Sequence, residues 1–162
     1  LDKAFKVKEI TDRYNVPLII DDRVDVALAC DAAGVHVGAS DIPVAVARKL
    51  MGSDKIVGAT AKTVEAAVKA YEDGADYLGV GAIYPTTTKV VTILTKVSTL
   101  KDICEAVAIP AVAIGGLNAG NMDVLEGAGM SGMAVVSAIM KAEDPKKNAR
   151  ELKEKIVALM GK

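Results

Sequence analysis

Acidic side chains follow the first two apolar segments of the chain. Asp21 and Asp22 come directly after residues 17–20, and Asp41 comes shortly after residues 34–37. Mg²⁺ commonly takes one or two carboxylates and completes its coordination with water and substrate phosphate. Asp22 and Asp41 are therefore candidate ligands of a shared Mg²⁺, although an aspartate near a helix start often serves only to cap the helix. Spacing alone favours capping, and both interpretations stay open at this point.

Glycines, hydroxyl groups and one lysine follow the later apolar segments. These residues are Thr60 after the third, Thr86, Thr88 and Lys89 after the fourth, Gly115 and Gly116 after the fifth, and Ser137 after the sixth. Backbone N–H groups and hydroxyls that lead into a helix bind phosphate oxygens well. The glycine pair is equally compatible with a tight turn that binds nothing. The length of the loop that holds Thr86 to Lys89 favours a functional role over a solvated surface.

A regular alternation of strand-like and helix-like segments must position these side chains. Short apolar runs begin at residues 17, 34, 55, 76, 110 and 132. A strand, a turn and a three-turn helix need about 20 residues, so the spacing predicts a helix over residues 4–14 and then six βα units. Further helices are predicted over residues 64–72 and after Asp144, its N-cap. Such units form an eight-stranded barrel or an open parallel sheet, with all strand ends meeting at one edge.

The composition narrows the classes of partner. Lys and Arg number 20 against 21 Asp and Glu, which gives a net charge of -1 and no single-sign field to attract nucleic acid or a membrane. Cys30 and Cys104 form no CxxC pair, so two reduced cysteines in a cytoplasmic protein are expected, without a disulfide or a zinc site. The single histidine, His36, falls within a predicted strand and is interpreted as a core or lining residue, not as a base.

The order and spacing of these segments resemble the thiamine phosphate synthase family. The resemblance rests on residues 17–25, 34–38 with Ser40 and Asp41, 74–81, 84–89, 113–117, 135–139 and 142–145. It implies an α/β fold of the TIM (βα)8-barrel type, with residues 1–162 as one domain. The family begins with two strands and one helix ahead of the helix that opens this chain. We therefore expect a barrel that lacks its first two strands and first helix, and an isolated chain that is unstable or aggregates.

The resemblance also implies a reaction and a set of site residues. The family couples 4-amino-2-methyl-5-(diphosphooxymethyl)pyrimidine with 4-methyl-5-(2-phosphoethyl)thiazole, giving thiamine phosphate and pyrophosphate by a dissociative mechanism in thiamine biosynthesis. Asp22 and Asp41 would hold Mg²⁺, while Lys89 and Thr60 would be the catalytic residues that act on the departing pyrophosphate. The implied substrate-binding residues are Asp21, Thr60, Thr86, Thr88, Lys89, Gly116, Val136 and Ser137.

Three positions differ from the family pattern. Asp21 stands where the family has asparagine, Ala39 where it has glutamine, and Lys62 where it has histidine. Two other functions therefore stay open, a non-catalytic phosphate-binding paralogue and a thiazole tautomerase. The paired aspartates and residues 85–89 favour the synthase over the tautomerase. The synthase ranks first, the non-catalytic paralogue second and the tautomerase third. A homo-oligomer is compatible with the sequence.

Overall fold

The computed structural model describes residues 1–86 and 93–161. Its elements in chain order are helix α1 (Asp2–Arg13), strand β1 (Ile19–Asp21), α2 (Val24–Ala29), β2 (Gly34–Val37), α3 (Val44–Met51), β3 (Ile56–Ala61), α4 (Val64–Glu72), β4 (Tyr77–Gly81), α5 (Val97–Ala106), β5 (Ala111–Ile114), a 3-10 helix (Met122–Leu125), β6 (Gly132–Ala134), α6 (Ser137–Met140) and α7 (Pro145–Leu159). This order confirms the prediction of an initial helix followed by alternating strands and helices.

The six strands form one parallel sheet in the order of the chain, from β1 to β6. The helical segments between them return the chain to the opposite edge before each new strand begins. This is the α/β architecture and strand order of a TIM barrel, as the resemblance implies. The carboxyl ends of all six strands therefore lie along one edge of the sheet, which is where barrel enzymes place their chemistry.

One face of the sheet packs against the helices because alternate side chains of a strand point to opposite faces. Val35 and Val37 of β2 and Val57 of β3 are buried on this face. They pack in one cluster with helix residues that include Ala27 and Ala47. A second cluster contains Leu78, Leu100 and Ile103 among its fully buried members. Strand β3 contributes to both clusters, so the core is continuous across the middle of the sheet.

The other face of the sheet carries polar side chains. Asp21, His36, Gly58 and Tyr77 are consecutive partners in the register of β1, β2, β3 and β4, so they form one row across the sheet. Because partner residues in a parallel sheet point to the same face, the row brings a carboxylate, an imidazole and a phenol onto one surface. Thr60 lies two residues beyond Gly58 on the same face, closer to the carboxyl edge.

Side-chain caps start two of the helices where the sequence signals them. Thr63 Oγ1 accepts a hydrogen bond from the Ala66 N–H at 3.2 Å. The Asp144 carboxylate accepts one from the Lys147 N–H at 2.9 Å, and Pro145 follows it at the first helical position. These caps confirm the predicted helix over residues 64–72 and the predicted start of the last helix. Within residues 1–86 and 93–161, no helix is both long and apolar enough to span a bilayer.

The last two units depart from the simple pattern of a strand followed by a long helix. Between β5 and β6 the chain forms only the 3-10 helix, and Gly127 and Gly129, which follow it, adopt left-handed φ values of 70° and 76°. Strand β6 ends at Ala134. The apolar run that begins at residue 132 continues through Val135 and Val136, but these two residues lie outside β6, and Val136 directly precedes α6.

Candidate active site

Strand β1 places two aspartates at the carboxyl edge of the sheet. Asp21 is its last residue and pairs in register with His36. Asp22 follows in a left-handed conformation with a φ of 65°, which an aspartate adopts more readily than most residues. The Asp22 N–H donates to the His36 carbonyl at 2.8 Å, which continues the ladder between β1 and β2 by one bond. Both aspartates are exposed at this edge.

The loop after β2 holds the third carboxylate, Asp41, in a defined position. Asp41 is half-buried, and its Oδ2 accepts a hydrogen bond from the Gly38 N–H at 2.7 Å. The N-cap positions of α2 and α3 are occupied by Arg23 and Pro43. Neither Asp22 nor Asp41 therefore stands at a helix N-cap, which corrects the capping interpretation that spacing alone favours.

The chemistry of these two carboxylates fits Mg²⁺, which prefers hard oxygen ligands and usually retains several waters. Within residues 1–86 and 93–161, no group of three or more His, Cys, Asp or Glu side chains is arranged to hold a metal ion. A site built on Asp22 and Asp41 would thus leave its remaining positions to water and substrate oxygens. This arrangement is common for Mg²⁺ bound to a substrate phosphate.

Thr60 belongs to a hydrogen-bonded group that spans three strands. Its Oγ1 lies 2.9 Å from His36 Nε2. The other ring nitrogen of His36, Nδ1, lies 3.1 Å from the Tyr77 hydroxyl. All three side chains are half-buried. Thr60 is therefore held by a neighbouring side chain and does not rotate freely at the strand end.

Glycines on the same face make room for this group. A Cβ at Gly58 would come within 2.2 Å of the Tyr77 ring, and one at Gly79 would come within 3.1 Å of the His36 ring. Burial, with a smaller effect from the charge of Asp21, raises the pKa of Tyr77 to about 12. Tyr77 is therefore a neutral phenol at physiological pH.

The loops after β4 and β5 pack tightly at the predicted phosphate-binding end. Gly115 and Gly116 adopt left-handed φ values of 98° and 65°. A Cβ at Gly116 would lie 2.7 Å from both Tyr84 Cβ and the Pro85 carbonyl oxygen. The Tyr84 N–H also donates to the Gly115 carbonyl at 3.1 Å. Packing alone is sufficient to require these glycines, and it places the chain leading to Thr86 against the Gly116 turn.

Of the remaining predicted site residues, some lie within the described part of the chain and others do not. Val136 is half exposed and precedes α6, and Ser137 is the first residue of this short helix. Both follow β6 at the same edge of the sheet. Thr86 is half-buried and is the last described residue before position 93. Thr88 and Lys89 lie outside the described residues.

Sequence reasoning did not assign His36 or Tyr77 to the site. Their contacts depend on the register between β2, β3 and β4, which local patterns do not determine. The glycines at positions 58 and 79 were the sequence signal that could have indicated these contacts. Glycine inside a strand often marks the close approach of another group, and here the groups are the two rings.

Comparison with known proteins identifies relatives along almost the whole chain. The family model described as thiamine monophosphate synthase matches residues 1–139. "Thiamine-phosphate synthase 2" of Streptococcus pneumoniae is 62% identical over 141 residues, which cover 87% of this chain and 67% of that protein. "Thiamine-phosphate synthase" of Enterococcus faecalis is 55% identical over 157 residues, covering 97% of this chain and 71% of that protein.

A solved structure gives the same result for the fold. "Thiamine phosphate pyrophosphorylase" from Pyrococcus furiosus superposes with a TM-score of 0.90 and 39% sequence identity, covering 99% of this chain and 77% of that chain. Together with the family model and the curated relatives, this structure confirms the resemblance noted in the sequence.

Proposed function

The chain belongs to the thiamine monophosphate synthase family, and from this premise we propose that it couples a pyrimidine methyl diphosphate with a thiazole phosphate. The products are thiamine phosphate and pyrophosphate, and the enzyme is a transferase of the pyrimidinylmethyl group. The observation that carries the proposal is the position of Asp22, Asp41 and Thr60 at the carboxyl ends of three consecutive strands. We place the reaction in the cytoplasm, as the sequence predicts.

The proposed reaction is dissociative. The bond between the pyrimidine methylene carbon and the diphosphate oxygen breaks first, and both of its electrons leave with pyrophosphate. The thiazole nitrogen then donates its lone pair to the pyrimidine cation and forms the new carbon–nitrogen bond. Negative charge grows on the departing pyrophosphate in the transition state, so hydrogen-bond donors and cations fixed beside it accelerate the reaction. The mechanism needs no nucleophilic side chain.

The carboxyl edge of β1 to β3 is proposed to bind the diphosphate. Asp22 and Asp41 would hold Mg²⁺, which when bound neutralises charge on the leaving group. The Thr60 hydroxyl is a hydrogen-bond donor for the same group, held in place through His36. Lys89 is proposed to add a positive charge, and this role rests on the family resemblance. Asp21 is proposed to contact the pyrimidine from the same edge.

The thiazole phosphate is proposed to bind at the other end of the same edge. The loop before Thr86 packs against the Gly116 turn, and Ser137 begins the helix that follows β6. Backbone N–H groups at such turns and hydroxyls at helix starts are suitable phosphate donors. The residues proposed to bind this substrate are Thr86, Thr88, Gly116, Val136 and Ser137.

Pyrophosphate release tests the proposal. The full-length protein is incubated with Mg²⁺ and both substrates, beside the variants Asp22→Asn and Asp41→Asn. We expect the parent protein to release pyrophosphate and each variant to need more Mg²⁺ for half-maximal activity. Asp25→Asn is the matched control, because Asp25 is a nearby exposed carboxylate that pairs with Arg23 at 2.8 Å. Its Mg²⁺ dependence should equal that of the parent protein.

The other outcomes are equally informative. Thiamine phosphate binding without pyrophosphate release by a folded protein would identify a non-catalytic paralogue. Isomerisation of a thiazole carboxylate phosphate would identify a tautomerase. An unchanged Mg²⁺ dependence in both Asp22→Asn and Asp41→Asn would contradict the assignment of these residues as metal ligands.

A further inference from the structure

His36 joins three strands through both of its ring nitrogens. It lies on β2, its Nε2 is 2.9 Å from Thr60 Oγ1 on β3, and its Nδ1 is 3.1 Å from the Tyr77 hydroxyl on β4. Its ring is also tilted by 39° against that of Tyr77, with 5.4 Å between their centroids. Since a neutral imidazole carries one proton, one nitrogen donates and the other accepts. The identity of the donor nitrogen determines what Thr60 offers to a ligand.

Two arrangements satisfy these contacts. In the first, Tyr77 donates its hydroxyl proton to Nδ1, and Nε2–H donates to the Thr60 oxygen. The Thr60 proton then points away from His36 and is available to a ligand. In the second, Thr60 donates to Nε2, and Nδ1–H donates to the Tyr77 oxygen. Thr60 can then only accept a hydrogen bond from a ligand. The deprotonated oxygens of a diphosphate have no proton to donate, so they would not bind Thr60 in this arrangement.

The environment of Tyr77 favours the first arrangement. Burial raises the pKa of Tyr77 to about 12, so the hydroxyl keeps its proton at neutral pH in both arrangements, and the choice between them depends on which acceptor that proton has. A half-buried phenol is usually satisfied as a donor. Within the described part of the chain, the hydrogen-bond partner of this hydroxyl is Nδ1 of His36. A proton on Nδ1 would remove that acceptor.

We propose that His36 is a positioning residue, held in the Nε2–H tautomer by Tyr77, so that Thr60 donates its hydroxyl proton to the departing pyrophosphate. The inference rests on the proposed function for its ligand, while the hydrogen-bond arrangement exists without any ligand. In this role His36 acts through Thr60. Because the Thr60 oxygen accepts from His36, the Thr60 hydroxyl proton is available to a ligand at the point where negative charge develops.

Nitrogen-15 NMR of the imidazole tests the arrangement without any substrate. His36 is the only histidine of these 162 residues, and the loss of its signals in His36→Gln assigns them in the full-length protein. At a pH where the ring is neutral, we expect the Nε2–H tautomer to predominate in the parent protein. In Tyr77→Phe the Nδ1–H form should increase, because the donor to Nδ1 is gone. A predominant Nδ1–H tautomer in the parent protein would overturn the inference.

Kinetics of two substitutions test the consequence for the reaction. The amide nitrogen of His36→Gln can reach the position of Nε2 and donate to Thr60, whereas the shorter His36→Asn places its amide near Nδ1. We expect His36→Asn to lower kcat roughly 10- to 100-fold with little change in the KM of the thiazole phosphate. His36→Gln should recover most of that loss. Equal activity of the two variants, whether high or low, would contradict a positioning role.

A double variant separates positioning from a general effect on folding. If His36 acts through Thr60, then His36→Asn combined with Thr60→Val should be no slower than Thr60→Val alone. Independent, multiplicative losses would refute the coupling. If the parent protein releases no pyrophosphate, the proposed function fails, and the tautomer measurement still decides the hydrogen-bond arrangement. If His36→Asn does not fold, the tautomer in the parent protein and its response to Tyr77→Phe decide the inference.

Discussion

Gly58 keeps open the space that the Tyr77 ring occupies. A Cβ at this position would lie 2.2 Å from the ring carbon that bears the hydroxyl and 2.5 Å from the hydroxyl oxygen. Both distances are far inside van der Waals contact, so an added methyl group must displace the ring. Displacement of Tyr77 would also disturb its hydrogen bond to His36, so this glycine links the packing of the sheet to the geometry of the candidate site.

We predict that Gly58→Ala destabilises the protein by about 1–3 kcal/mol, the usual cost of an overpacked interior. The same substitution should lower the rate of pyrophosphate release. Gly132→Ala is the matched control, because its Cβ would meet only Val112 Cγ1 at an ordinary 3.9 Å. The control should change stability by less than about 1 kcal/mol. Urea unfolding measures both values, and equal effects of the two substitutions would show that Tyr77 moves without cost.

At the residue scale, sequence reasoning predicted the placement of those candidate side chains whose location depends on position along the chain. Asp22, Asp41 and Thr60 each follow a recognisable apolar run, and the parallel sheet gathers them at one edge. The contacts of His36 and Tyr77 were not predicted, because they arise from the pairing of strands that are separated in sequence. A single histidine in a strand is most often a core residue, and only the register shows its two partners.

One side chain of helix α3, that of Arg48, forms polar contacts with the segments that lead into two strands. Arg48 donates to the carbonyls of Gly52 at 2.8 Å, Lys55 at 2.6 Å and Gly74 at 3.0 Å, and it pairs with the Asp76 carboxylate. These partners precede β3 and β4 in the chain. The guanidinium therefore joins the end of α3 to the starts of two strands, at the edge opposite the candidate site.

We predict that Arg48→Met lowers the free energy of unfolding by about 2–3 kcal/mol, because hydrogen bonds to a charged group are lost while backbone carbonyls remain. Lys69→Ala provides the control, since Lys69 forms an ion pair with Asp73 on the surface of α4 and its side chain is 73% exposed. Its effect should stay below about 1 kcal/mol. Urea denaturation compares the two. A small effect of Arg48→Met would show that water satisfies the three carbonyls equally well.

Element boundaries followed from the sequence where local signals are strong. Thr63 and Asp144 cap their helices as the residue types predict, because an N-cap bond forms within four residues. The 3-10 helix after β5 was not predicted. The chain after it turns at Gly127 and Gly129, whose left-handed conformations are permitted by the residue type without being required by it.

The sheet as a whole presents two edges. In the described part of the chain, β1 pairs with β2 and β6 pairs with β5, and each has no second neighbour. Unpaired N–H and C=O groups along such strands are templates for pairing with another chain. Edge pairing between molecules would satisfy these backbone groups.

We therefore predict that residues 1–162, expressed alone, self-associate through these edges. Ile19→Lys should reduce the association, because a charge on the edge strand β1 opposes the pairing of a further strand. Val46→Lys is the matched control: it adds the same charge at an exposed position of α3, which follows the internal strand β2, and should leave the association unchanged. Light scattering after size-exclusion chromatography measures the mass of each protein. A monomer of the parent chain with a cooperative melt in circular dichroism would contradict the prediction, since it would show that a six-stranded sheet with both edges open is stable in water.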